Sequence, residues 1–390
     1  MNSFFSSFTN FTQQFPAKIP VRIPNDDTTF NPKEYPNVVF LAKGKLHGKV
    51  HLIHDSADTK EAALGLISTR IWVVHENDKR NVDIKPIFNN KTHTFHLDGP
   101  SDFTANSIYH ETTIRYPRSS TTTESLTVEA PNTSLGGEHL ENLVFDVFKT
   151  TLSNGAIVLE TIRSDVIQLK TSNAKIAGDF EAGHVDLSSS NGSITAKLNL
   201  QDALDGQQSV VSTKTSNAHI DIHVTVAETI RGLWMDNQTR NGSLAVGVFL
   251  GQADRASFIH SSTNNAKIDF NMDASQSGQP LEVENKSSNG GVTSSIMPSA
   301  YQRFKGSFES SNAGVNVNLT EAFQGNFTLE TSNSSTKVEG SELFIDHDKK
   351  GYKHGHRVAE GGSQVKLQSS NSPVTLRFYP VGSSQASGSY

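Results

Sequence analysis

Two stretches hold side chains whose types and spacing would support chemistry. In "AHIDIHV", His219, Asp221 and His223 fall at alternate positions, with Ile220 and Ile222 between them. Alternate residues of a strand share a face, at about 6.6–6.8 Å per two-residue step. Two imidazoles flanking a carboxylate would suit a metal ion or an acid–base pair. The simpler reading is that Ile220 and Ile222 need burial and the polar residues are the water-facing side of the same strand, and this is the one expected. "DHDKKGYKHGHR" is denser, with Asp346, His347, Asp348, His354 and His356, a set that would suit a divalent metal or an anion. Lys349, Lys350, Lys353 and Arg357 stand among them and would repel a cation, so the stretch is expected to be an exposed loop. In "HGKVHLIHD", His51 and His54 point to opposite faces of a strand, which argues against one site with His47.

Carboxylates are the other source of chemistry. Glycoside-cleaving and lyase enzymes built on parallel β-helices need Asp residues clustered on neighbouring coils, with Ca²⁺ or as an acid–base pair. Here Asp179, Asp186, Asp221, Asp269 and Asp273 are scattered. Asp221 and Asp269 share a repeat position two copies apart, so about 9–10 Å would separate them at ~4.8 Å per coil, a weak site. There is no Gly-x-Ser-x-Gly elbow, phosphate loop or dinucleotide fingerprint. The absence of Cys excludes disulfides, thiolate metal sites and a Cys nucleophile. A net charge of −6 without a Lys/Arg run gives no sign of a nucleic-acid partner. No catalytic, cofactor-binding or metal-ligating residue and no cofactor is therefore expected.

The elements that would carry these residues come from a repeat. Asn followed by a small residue, and preceded by Ser in eight of ten copies, recurs at Asn154, Asn173, Asn191, Asn217, Asn241, Asn265, Asn289, Asn312, Asn333 and Asn371, at spacings of 19, 18, 26, 24, 24, 24, 23, 21 and 38. Such a period marks a solenoid or an array. Three residues after the Asn stands Ile157, Ile176, Ile194, Ile220, Leu244, Ile268, Val292, Val315 or Val374, with Thr336 the exception. Alternation around that position predicts a strand with one buried face, and no copy holds an amphipathic helix. The reading is all-β: a parallel β-helix, one coil per copy. Asn is expected at a turn with φ > 0, its side chain stacked from coil to coil as an amide ladder. The follower alternates Gly and Ala from Gly155 to Ala313, either because two coils form one unit or because the motif serves two corners. "IAGDF", "IRGLW", "FKGSF" and "FQGNF" suggest a second bend at Gly178, Gly232, Gly306 and Gly325. Phe180, Trp234, Phe308 and Phe327 would fill the interior.

The repeated Ser-Asn-Gly/Ala-x-Ile with Phe-x-Gly-x-Phe resembles the adhesin family of β-solenoid domains, found in bacteria and in fungal proteins of unknown function. The resemblance covers about residues 122–379. It implies a parallel β-helix with a surface or structural role, possible at the cell surface or outside the cell, and it carries no catalytic residues. The expected organisation is an extended leader (1–36), a β-rich region (37–131), the solenoid (132–379) and a loose tail (380–390). "ADTKEAALGLI" (57–67) is the best helix candidate, and "RSSTTTES" (118–125) reads as a flexible junction. The opening segment has neither signal-peptide pattern nor membrane span, and the compartment is otherwise open. Ten Asn-x-Ser/Thr triplets, among them Asn90, Asn237 and Asn326, hint at export. The expected function is non-catalytic: display of a Ser/Thr/Asn face to a polysaccharide, cell wall or protein surface. The alternatives are a carbohydrate-active β-helix enzyme and a self-assembling structural protein.

Overall fold

Strand-forming alternation dominates the chain, and every regular element is a strand, thirty-one among the described residues. The computed structural model describes residues 19–21, 27–55, 63–73, 82–101, 108–203, 206–226, 230–300, 302–359 and 362–380. The chain opens with β1 (Ile19–Val21), β2 (Asp27–Phe30), β3 (Asn37–Lys43), β4 (Leu46–His54) and β5 (Gly65–Val73). It continues through β6 (Asp83–Asn89), β7 (Thr92–Asp98), β8 (Ile108–Tyr116) and β9 (Thr122–Glu129). Next come β10 (Thr133–Glu138), β11 (Val144–Thr151) and β12 (Ile157–Thr171).

From β12 the strands alternate between two sheets. Sheet A takes β13 (Ile176–Ala182), β15 (Ile194–Leu200), β17 (Ile220–Val226), β19 (Leu244–Leu250), β21 (Ile268–Ala274), β23 (Val292–Pro298) and β25 (Val315–Thr320). Sheet B takes β14 (His184–Ser189), β16 (Ser209–Lys214), β18 (Leu233–Gln238), β20 (Ser257–Thr263), β22 (Leu281–Ser287) and β24 (Phe304–Ser310). Each strand pairs in parallel with the next but one in the chain. Two strands therefore make one coil, and the coils stack as a solenoid-like body rather than a closed barrel. β12 runs through both sheets, pairing with β13 by its first half and β14 by its second, with a register break between Leu159 and Thr161.

The two columns extend towards the N-terminus. β11, β9, β3 and β7 prolong sheet B, and β10, β4 and β8 prolong sheet A. Antiparallel strands then close both columns: β6 on β7, and β5 on β8 with β1 and β2 on β5. Closing strands of opposite direction interrupt the parallel template that a bare solenoid end would offer.

The far end departs from chain order. It holds β26 (Gly325–Thr331), β27 (Thr336–Glu339), β28 (Leu343–Lys349), β29 (Tyr352–Arg357), β30 (Ser363–Ser369) and β31 (Val374–Tyr379). β30 lies between β24 and β26, and β31 between β25 and β27. The last coil in sequence is thus the penultimate coil in space. β28 and β29 pair with each other as a hairpin, and β29 closes sheet B antiparallel to β26.

The core lies between the sheets. Ile157, Ile176, Ile194, Ile220, Leu244, Ile268, Val292, Val315 and Val374 are successive register partners and all are buried, as the alternation predicts. Thr336 pairs with Val374 on the outermost rung of sheet A, where one side has no further coil to meet and a polar residue is tolerated. Each aliphatic residue contributes roughly 1.5–3 kcal/mol by leaving water. The interior also holds a polar stack. Thr213 Oγ1 donates to Asn237 Oδ1 at 2.7 Å, Asn237 Nδ2 donates to Ser261 Oγ at 3.3 Å, and Asn285 Nδ2 donates to Ser294 Oγ at 3.0 Å. Asn237, one of the Asn-x-Ser/Thr triplets, is therefore a core residue and not an accessible acceptor.

Several local expectations need correction. Gly65–Ile67, the end of the proposed helix, opens β5, and residues 57–62 lie outside the described residues. Thr122–Ser125, the end of the proposed junction, opens β9 and pairs with β11. Residues 346–356 form the β28–β29 hairpin rather than a loop, because "LFIDHDK" and "YKHGHR" both find strand partners. Gly306 lies inside β24 and makes no bend, and Gly178 lies inside β13 opposite the register break. Gly232 (φ 130°) and Gly325 (φ 149°) stand where their strands begin, at values that favour glycine.

Candidate functional site

The repeated asparagines build one continuous exposed corner. Asn154 Nδ2 donates to Asn132 Oδ1 at 2.6 Å. The same bond then repeats upward through Asn173, Asn191, Asn217, Asn241, Asn265, Asn289 and Asn312, each at 2.6–2.7 Å. Asn371 and Asn333 complete it, in that order, at 2.8 Å each. Eleven amides form a single ladder. Asn132 was missed in the sequence although it precedes Asn154 by 22 residues and Leu135 by three, matching the spacing of the other copies.

The expected left-handed backbone is not there. None of these asparagines has φ > 0; the described non-glycine residues that do are Asn90, Lys91, His139, Glu342 and Val358. The corner turns instead by bonding to the coil below: Ser172 N and Asn173 N both donate to Ser153 O, at 3.0 and 2.8 Å. Asn is needed at this corner for its amide.

A second ladder lies beneath, built from the Ser or Thr two residues before each Asn. Thr171, Ser189, Thr215, Thr239, Thr263, Ser287 and Ser310 are buried, and each hydroxyl donates to the carbonyl of the Asn follower one coil back, at 2.9–3.2 Å. The Gly/Ala alternation follows from this close stacking. A Cβ on Gly192 would lie 1.7 Å from Ala174 O, one on Gly242 1.6 Å from Ala218 O, and one on Gly290 1.9 Å from Ala266 O. The Ala-to-Gly step is too tight for a side chain, so two coils form one packing unit.

The sequence-marked clusters do not converge. His219, Asp221 and His223 lie on the outer side of sheet A; Asp221 and His223 approach to 3.8 Å, with no third ligand. Asp269 is two rungs from Asp221, with Ala245 between, and pairs with Lys267 at 2.5 Å. On the hairpin, Asp346 lies 4.0 Å from His354 and 3.8 Å from His356, while Asp348 pairs with Lys353 at 2.7 Å. His51 meets Glu138 at 3.4 Å on the outside, and His54 is buried, on opposite faces as expected. Among the described residues no group of three or more His, Asp or Glu is arranged to hold a metal ion.

Two further histidines are buried in the first coils. His110 bonds Thr112 and Thr133 through its two ring nitrogens, at 3.1 and 3.0 Å, and burial lowers its pKa to about 3. A Cβ on Gly48 would fall 2.4 Å from that ring, so glycine there makes its room. His93 stacks on Phe88 (centroids 4.3 Å apart, planes at 4°), neither ring nitrogen has a hydrogen-bond partner among the described residues, and burial lowers its pKa to about 4.

One surface escaped the sequence reading. Trp234, expected inside, is 42% exposed on the outer face of sheet B, and its register partner Phe258 is also 42% exposed. Val210 precedes them in the same column, while Phe180, Phe308 and Phe327 do fill the core as expected. Beside the aromatic pair run Ser212, Asp236, His260 and Glu284, one per rung. Asp236 Oδ2 accepts from Gln238 at 2.8 Å, His260 lies 3.3 Å from Glu284, and Glu282 bonds Lys305 at 2.5 Å.

No family model and no curated protein matches the chain. Among solved structures it is similar to a candidate cell adhesion protein of Clostridium sporogenes (10% identity, 93% of this chain and 100% of that one, TM-score 0.18). It is also similar to a candidate adhesin of Bacteroides fragilis (8% identity, 93% and 98% covered, TM-score 0.30). A third is a candidate adhesin of Parabacteroides merdae (10% identity, 73% and 97% covered, TM-score 0.26). No helix among the described residues is long and apolar enough to cross a membrane.

Proposed function

We propose that this chain is a non-catalytic, adhesin-like binding protein that presents a repetitive, rigid polar surface to an extended polymer at a cell surface or outside the cell. The observation that carries the reading is the asparagine ladder. It places exposed amides at one per coil, about 4.8 Å apart, over eleven successive rungs. A surface repeated at that spacing offers many weak, equivalent contacts, and linked contacts gain strength through effective concentration. Carboxylates that an enzyme would pair for acid–base work instead bond neighbouring bases, as Asp269 does with Lys267 and Glu282 with Lys305. Antiparallel strands close both columns at one end and sheet B at the other, which favours this reading over end-to-end self-assembly.

The test is sedimentation of the protein with insoluble cell-wall polysaccharides, with reducing ends assayed in parallel. Depletion from the supernatant without new reducing ends is expected. Release of reducing ends would instead establish the enzyme reading, and neither binding nor release would remove both.

A further inference from the structure

The exposed aromatic column on sheet B is the feature that the ladder does not explain. A solvated strand face needs no Trp and Phe on consecutive rungs, yet Trp234 and Phe258 are register partners and each leaves 42% of its surface in water. Val210 extends the column by one rung. The three span two rung spacings, about 10 Å along the stack axis.

The size of this patch narrows its occupant. At 42% exposure, aromatic side chains of roughly 150–250 Å² each leave on the order of 150–200 Å² of ring surface. That is well short of the about 800 Å² per partner of a standard protein interface. The patch is also flat, as an outer sheet face must be, and it ends at Glu282 and Lys305, which follow Phe258 in the column.

The neighbouring column supplies directional groups. Ser212, Asp236, His260 and Glu284 run parallel to Val210, Trp234, Phe258 and Glu282, two residues further along each strand. That places a line of hydroxyl, carboxylate and imidazole about 6.6–6.8 Å from the ring line. One line stacks flat apolar faces and the other exchanges hydrogen bonds with hydroxyl groups. A pyranose chain has both: C–H-bearing ring faces and equatorial hydroxyls at its edges, repeating at about the length of a rung. Three carboxylates (Asp236, Glu282 and Glu284) against Lys305 and His260 oppose a polyanion, so uronate or sulfated chains do not fit.

We propose that Val210, Trp234 and Phe258, with His260 and Glu284 beside them, form a binding platform for a neutral pyranose chain lying along the stack axis. This rests on the polymer-binding reading above and names its contact site.

Trp234 is its own reporter, because the chain has two tryptophans and Trp72→Phe leaves this one alone. The Trp72→Phe protein is titrated with cellohexaose, laminarihexaose and, as the anionic control, hexagalacturonate, while the fluorescence of Trp234 is followed. Saturable quenching or a blue shift is expected with at least one neutral hexaose and none with hexagalacturonate. Binding of the responding polymer, measured by sedimentation for the parent, Trp234→Ala and Phe258→Ala, should weaken at least tenfold in each variant. Trp234→Phe, which keeps a ring and a fold-neutral surface, should retain most of it. If the parent binds polysaccharide and all variants match it, the platform is wrong while the polymer-binding reading stands. If the parent binds no polysaccharide, that reading fails and takes the platform with it. If the variants change self-association by light scattering, with no response to any hexaose, the surface is a protein contact and the proposal is overturned. A preference for hexagalacturonate would overturn the assigned ligand class.

Discussion

Asn371 donates its side-chain amide to Asn312 at 2.8 Å although 59 positions separate them, and accepts from Asn333 at the same distance. The ladder therefore reads 312, 371, 333 in space. β30 and β31 are held on both sides by strands made earlier in the chain. At the other end β3 and β4 likewise lie between strands made later in the chain, β3 between β7 and β9 and β4 between β8 and β10.

This wedge predicts a cooperative end. Opening β30 removes partners from β24 and β26 together. Hydrogen exchange read by mass spectrometry should give residues 325–331 and 363–369 the same opening free energy. Earlier loss of protection in 363–369 would mean that the inserted coil opens alone.

The ladder predicts the effect of removing one rung. Asn217 donates to Asn191 and accepts from Asn241, at 2.6 and 2.7 Å. Asn217→Ala should cost about 1–2 kcal/mol, the net value of one or two exposed bonds. Asn217→Gly should cost about 0.5–1 kcal/mol more, since φ is negative and glycine only adds chain entropy. Urea unfolding of both variants decides; a glycine variant more stable than the alanine one would restore the left-handed turn.

The two-coil unit predicts an asymmetry between neighbouring followers. Gly242→Ala would drive a Cβ against Ala218 O, a backbone atom that cannot swing aside. It should cost on the order of 1–3 kcal/mol, as overpacking does. Ala218→Gly should cost no more than about 1 kcal/mol. Equal costs in thermal unfolding would mean that the coils are interchangeable.

Adjacent residues on β17 should differ sharply. Ile220 is buried in the aliphatic column and Asp221 faces water beside His223. Ile220→Asp should lower stability by about 4 kcal/mol or more and Asp221→Ala by about 0.5 kcal/mol or less. Similar midpoint shifts for both would invert the assigned faces.

Acid should weaken the first coils. The pKa of His93 falls to about 4 through burial, against 6.5 when unfolded, so below pH 6.5 the unfolded chain takes up the proton first. Stability is complete above pH 6.5, declines as pH falls towards 4, and levels off below that value as far as this group is concerned. The loss at pH 5 is on the order of 2 kcal/mol. His110, lowered to about 3, adds a loss of the same sign reaching further down. His93→Phe, which keeps the stack on Phe88 and strands no bonded nitrogen, should roughly halve the fall in urea midpoint between pH 7 and 5, His110 supplying the rest. An unchanged slope would place the acid sensitivity elsewhere.

The repeat made the architecture legible. Aliphatic residues three positions after each Asn can be buried together only if coils stack in register, and the amide ladder followed from the same spacing. The backbone angle was not legible, because Asn serves both left-handed turns and side-chain ladders and its presence cannot separate them. Trp234 was misplaced through a slip of one residue: in "IRGLW" the strand begins at Leu233, which takes the inward position, and every later side chain changes face. The inserted coil was hidden because the interval of 38 before Asn371 has the same length whether the excursion lies beside the stack or returns into it. The β28–β29 hairpin was read as a loop because its charge density masked the alternation.

The alternation of Gly and Ala along the corner has a consequence for growth. Both ends of the stack are specialised, whereas the middle is built from interchangeable pairs. Copying one coil would set two like followers against each other; copying two, such as the 48 residues 217–264, restores the alternation. The stack can thus lengthen by duplication or shorten by deletion in quanta of about 10 Å, a ruler graduated in coil pairs whose end fittings need never change.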